Sequence, residues 1–82
     1  MREDLQKAVY YLRLGMEGEG NHYLARFLQE LGSCWNDPGL PQKPPLPLIL
    51  PHLQSMVEAQ QRGDYLRVAD LLEYEIQIHI DP

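Results

Sequence analysis

Only one cysteine, Cys34, occurs in the 82-residue chain, which also has a single tryptophan and a single phenylalanine. A lone thiol excludes an internal disulfide and any cysteine-rich zinc site, and fits a reducing compartment. No apolar run approaches the roughly 20 residues of a bilayer-spanning helix, and the opening Met1-Arg2-Glu3-Asp4 lacks the apolar core of a signal peptide. Basic residues are scarce as well: seven Lys and Arg stand against twelve Asp and Glu, a formal net charge of −5. Arg2, Lys7, Arg13, Arg26, Lys43, Arg62 and Arg67 are scattered along the chain, so no face offers the cationic patch that nucleic acid or an anionic membrane surface requires. The expectation is a cytoplasmic protein with no nucleic-acid and no membrane partner.

What is present is helical periodicity. Leu5, Val9, Leu12 and Met16 follow one another at steps of four, three and four, which predicts a helix over about 3–15 with Glu3 and Asp4 at the positive end of its dipole. Gly15, Gly18 and Gly20 interrupt that pattern, and glycine costs about 1 kcal/mol relative to alanine inside a helix. The chain is therefore expected to turn there, with Asn21 capping a second helix over 21–34 that gathers Leu24, Phe27, Leu28, Leu31 and Trp35 on one side. Pro38, Pro41, Pro44 and Pro45 then forbid regular structure, giving a stiff Pro-rich connection over 36–47.

A third helix is predicted over 48–62, opening between Pro47 and Pro51 and turning Ile49, Leu53, Met56 and Val57 inward. Gly63 can take the left-handed conformation that ends it, and Asp64 can accept from the free amides of the next. That fourth helix, 64–78, points Val68, Ala69, Leu72 and Ile76 inward. Its tail alternates Tyr74, Ile76, Ile78 and Ile80 with polar residues, so a strand pairing between two copies is the competing reading. The predicted fold is all-α: one domain over 1–82, a four-helix bundle of two antiparallel helical hairpins joined by a Pro-rich crossover. The two hairpins match at no fixed offset, and no internal repeat is expected.

Chemistry-bearing groupings are thin. Glu75 and His79 lie four apart, a spacing that suits two ligands of one metal, but zinc takes three or four, and His22 and His52 fall at other helix starts. Asp70, Glu73 and Gln77, with Arg67 a turn earlier, form a polar stripe expected to pair along its own solvated face. Cys34 falls at a helix end, where the dipole disfavours a thiolate, and reads as a packing residue beside a core Trp35. The glycine-rich run from Gly15 to Gly20 is acidic and lacks the lysine and preceding strand of a phosphate loop. No catalytic, cofactor-binding or metal-ligating residue is expected, and no enzyme. What stands out is a surplus of apolar surface on the fourth helix, where Leu66, Leu71, Tyr74 and Ile78 extend beyond what one neighbour would cover. These four form the candidate interaction surface.

At 56–76 the run MVEAQQRGDYLRVADLLEYEI resembles the carboxy-terminal hairpin of a family of small, uncharacterised helical bacterial proteins in which D-Y-x-x-x-A-D-L-L-E-Y-E-[LI] recurs. The matching positions here are Asp64, Tyr65, Ala69, Asp70, Leu71, Leu72, Glu73, Tyr74, Glu75 and Ile76. The resemblance implies an all-helical fold and carries no activity or site residue with it. A fainter similarity is to tetratricopeptide-type hairpins, whose Gly-Asp-Tyr also opens a helix. The expected function is a noncatalytic protein–protein interaction module with a protein partner or a second copy on helix four. A small helical chaperone holding a client's amphipathic helix is the second reading, and a metal-dependent enzyme or sensor using Glu75 and His79 the third.

Overall fold

Leu5, Ala8, Val9 and Leu12 line the buried face of the first helix, α1 (Arg2–Arg13), at the spacing that an amphipathic helix needs. A computed structural model of the chain describes residues 1–40 and 43–80. All regular structure among the described residues is helical, with no strand. α2 spans Glu17–Asn36, α3 spans Leu46–Gln61, and a last rod runs over 65–80. That rod is α4 (Tyr65–Asp70), a π-helical turn (Leu71–Ile76) and α5 (Gln77–Ile80). The strand reading of its tail is thereby set aside. The Cα radius of gyration, 12.2 Å, is about that of any folded chain this long.

α2 begins earlier than glycine propensity predicts. Asn21 is not its cap; the helix opens after Met16 and carries Gly18 and Gly20 within it. Tertiary packing explains the difference. A Cβ on Gly20 would lie 2.6 Å from Leu12 Cδ2, 2.7 Å from its Cγ and 3.2 Å from its backbone nitrogen, so only glycine lets α2 approach α1 this closely. The propensity cost is outweighed by contact along the whole α1–α2 seam. α2 also runs on to Asn36, and α3 starts at Leu46 with Pro47 in its first turn and Pro51 inside it. Pro41 and Gln42 of the connection lie outside the described residues. Its end is pinned by Trp35, whose indole Nε1 donates to Pro44 O at 2.8 Å, and by Lys43 Nζ, which donates to Trp35 O at 3.1 Å. Trp35 is half-buried at the edge of the core rather than within it.

The two tight turns have one backbone. Leu14 and Arg62 close their helices at φ −80°, ψ −3° and φ −85°, ψ −5°. Gly15 and Gly63 follow at φ 78° and 73°, a region only glycine enters cheaply. Met16 and Asp64 then open the next helix at φ −89°, ψ 76° and φ −88°, ψ 74°. Hydrogen bonds repeat too: Gly15 N–H to Leu12 O and Met16 N–H to Tyr11 O recur, forty-eight positions on, as Gly63 N–H to Gln60 O and Asp64 N–H to Ala59 O. The likeness leaves no repeat in the sequence because glycine alone is shared at the three turn positions.

The π turn sets the faces of the last rod. Gln77 N–H donates to Leu72 O, five residues back rather than four. In an α-helix each four-residue step overshoots a full turn by about 40°, so residues spaced by four drift around the rod. One wide turn cancels that drift. Val68, Leu72 and Ile76 are buried and Ile80 packs half-buried against the same core, each four residues from the last. The core they join contains Phe27, Leu24 and Leu31 of α2 and Ile49 and Met56 of α3. α1 packs along α2 and along the last rod, which packs on α3, while α2 and α3 make no extended contact.

Candidate interaction surface

The same cancellation of drift aligns the outer residues Leu66, Asp70, Tyr74 and Ile78. Leu66, Tyr74 and Ile78 are 62%, 60% and 64% exposed. Leu71, expected beside them, is instead 2% exposed. It lies three residues after Val68 and one before Leu72, on the same buried helical face, so the candidate surface loses Leu71 and keeps the other three.

The surface gains residues from α1. Arg13, in the last turn of α1, donates from one guanidinium nitrogen to Asp70 Oδ1 at 3.0 Å and pairs through the other with Glu73 Oε2. Its guanidinium carbon also sits 5.6 Å from the centre of the Tyr74 ring. Burial works against the Arg13 charge, but the hydrogen bonds to Asp70 and Glu73 and the Glu73 charge outweigh it and hold the guanidinium above its ordinary pKa. Asp70 and Glu73 were expected to pair along their own helix with Arg67; the structure gives them to Arg13 across the seam. A cleft of about 350 Å³ beside this cluster is lined by Gln6, Tyr10, Arg13 and Leu14 of α1 and by Glu73 and Gln77. Leu14 and Leu66 border a second cleft at the turn end of the same seam. Tyr10 and Leu14 are 60% and 56% exposed. Exposed apolar side chains thus surround an ion cluster whose charges are paired with one another. The signal for Tyr10 and Leu14 was in the sequence, since both are large, apolar and off the inward stripe of helix one.

Other candidates resolve elsewhere. Glu75 reaches His52 Nε2 of α3 at 3.6 Å, so the structure gives it a partner on another helix and not His79. Among the described residues no three His, Cys, Asp or Glu side chains are grouped closely enough to hold a metal ion. Cys34 is half-buried near the end of α2, and no helix of the described residues is long and apolar enough to cross a membrane. Comparison with known protein families, curated proteins and solved structures finds no match to this chain.

Proposed function

We propose that the chain is a noncatalytic protein-interaction module: a four-helix bundle of two antiparallel hairpins that takes a helix of a protein partner along the outer face of its last rod. The observation that supports this reading is the row of Leu66, Tyr74 and Ile78, each more than half exposed and continued by Tyr10 and Leu14 on α1. Spaced apolar anchors beside a paired charge cluster are what a helix-in-groove interface uses, with the aromatic residues supplying most of the affinity. The proteins with the D-Y-x-x-x-A-D-L-L-E-Y-E run are proposed as its relatives, and the bacterial cytoplasm as its setting. A client helix held as by a small chaperone is one form of the reading, and a second copy on the same face is the other.

A photo-crosslinking amino acid in place of Tyr74 tests it. Irradiation in the source cell is expected to give one dominant adduct, lost when Leu66 and Ile78 are both changed to Ser. An adduct equally strong in that double variant, or none from position 74, overturns the reading. Irradiation of the purified protein separates the two forms, since only self-association yields an adduct there.

A further inference from the structure

The two helix–turn–helix units, one of α1 and α2 and the other of α3 and the last rod, correspond position by position around Gly15 and Gly63. Val9 of the first unit then matches Val57 of the second. Val9 is buried, 7% exposed, and lies at the seam where α1 packs on the last rod. Val57 was expected to point inward and is 48% exposed. What α1 has and α3 lacks is a second covering helix.

The uncovered flank of α3 is continuous. Leu46, Leu50, Leu53 and Val57 recur at steps of four, three and four, the stripe of a helix seam. Leu46 and Leu50 are 40% and 44% exposed, and Leu53 is half-buried, one side against the core and the other at the edge of this stripe. On the neighbouring side stands α2, with Leu28 exposed rather than inward and open space around Gly32. α2 and the α3 unit meet at the two ends of this side. Gln60 Nε2 donates to Asn21 Oδ1 at 3.3 Å at one, and Trp35 holds Pro44 at the other. Between these two points α2 and α3 make no extended contact, and Leu28, Leu46, Leu50 and Val57 are exposed.

We infer that a second copy of the chain closes this side, with the α3 helices of the two copies lying antiparallel. The stripe is self-complementary under a two-fold axis: Leu46 faces Val57 of the other copy, and Leu50 faces its Leu53. Charge selects the same partner. Among 46–61 the only carboxylate is Glu58, near the carboxy-terminal end, and no acidic residue occupies the first turn. Antiparallel pairing carries Glu58 to the other copy's helix N-terminus, where the dipole is positive and Lys43 stands nearby. Parallel pairing would set the two Glu58 carboxylates side by side. A single pair of helices buries little surface, so the dimer is weak and concentration-dependent.

This face is distinct from that of the proposed function, and sedimentation equilibrium separates the two. Between about 10 μM and about 1 mM the average mass is expected to climb from monomer toward dimer. Leu50→Gln with Val57→Gln, at exposed helical positions, is expected to hold the monomer throughout with unchanged circular dichroism. Glu58→Lys is expected to weaken association about tenfold, and Lys43→Glu added to it to restore most of the loss, as only the antiparallel arrangement allows. Tyr74→Ser with Ile78→Ser is expected to associate as the unaltered chain does. A wild-type chain that stays monomeric to the top of the range, association unaffected by the Gln pair, no rescue by the charge exchange, or association abolished by the Ser pair each overturns the inference.

Discussion

The unit of α1 and α2 and the unit of α3 and the last rod share a turn backbone and differ in how the helices that follow it meet their partners. Four residues after the turn's last residue, the first unit has Gly20 against Leu12, where the second has Val68 in the core. In the first unit closeness comes from omitting a side chain, and in the second from filling the space with one. After Leu72 the units fall out of step by one residue, because the π turn inserts one. With that shift Leu24, Phe27 and Leu31 match Leu72, Ile76 and Ile80. The same backbone plan is thus carried by two side-chain solutions, and the plan resides in turn geometry and burial rather than in residue identity.

Exchanging the two side-chain solutions is expected to cost the most stability. Gly20→Val forces a branched side chain into Leu12 and is expected to cost about 3 kcal/mol. Val68→Gly opens a cavity and adds the glycine penalty, and is expected to cost about 3–4 kcal/mol. Both are read from denaturant midpoints at constant slope. If Gly20→Val is tolerated, the α1–α2 approach is not set by that residue. Next in size, Gly15→Ala and Gly63→Ala force a Cβ into the left-handed region and are each expected to cost about 1–2 kcal/mol. Equal losses sustain the shared backbone; a twofold difference separates the turns.

Most of the helices were legible because local spacing and tertiary burial agree in them. The buried faces of α1 and α4 follow from Leu5, Val9 and Leu12 and from Val68, Ala69 and Leu72, and the stop and start at Gly63 and Asp64 are cap chemistry. The misplacements share another origin. Gly20 reads locally as a breaker and is a contact residue only once Leu12 lies opposite. Leu71 reads as surplus width beside the stripe of Val68, Ala69, Leu72 and Ile76, yet it stands three residues from Val68 and shares its buried face, because this rod packs on both α1 and α3. Arg13 is a distant partner to Asp70 and Glu73, and helical spacing along one element does not reveal a neighbour on another. Of the candidate surface, three of four residues were readable, because exposure of a large apolar side chain is signalled by surplus width of the apolar stripe.

Caps give a smaller difference between the turns. Asp64 accepts from Arg67 N at 3.2 Å, whereas Met16, with the same backbone angles, makes no side-chain cap. Asp64→Ala is expected to lose about 1 kcal/mol, and Met16→Asp to gain a similar amount at a position that is 40% exposed and gives up little packing. A gain confirms that the first turn was ready for the cap that the second has. No gain means that Met16 contributes contacts which the match of backbones conceals.

The smallest expected effect concerns the acid–base contacts that tie each unit's helices together, and here the units exchange the two residue types between helices. Asp4 of α1 meets Arg26 of α2 at 3.4 Å, while His52 of α3 meets Glu75 of the last rod at 3.6 Å, so the acid and the base exchange helices. Allowing for the inserted residue, these are matching positions. A hydrogen bond shared with Glu30, then the charges of Arg26 and the amino terminus, outweigh burial and hold the Asp4 carboxyl below its ordinary value of 3.8. A lowered carboxyl pKa means that the folded state binds the proton less well than the unfolded one. Its stabilisation is therefore fully present above pH 3.8 and fades as pH falls through the lower folded value. Asp4→Asn is expected to remove that acid-limb decline, so unfolding curves of the variant and the unaltered chain should converge as pH drops below 3.8. Curves that stay parallel through that range would show that Asp4 does not carry the first unit's acid response. The exchange of residue types between the units would then be a matter of placement alone.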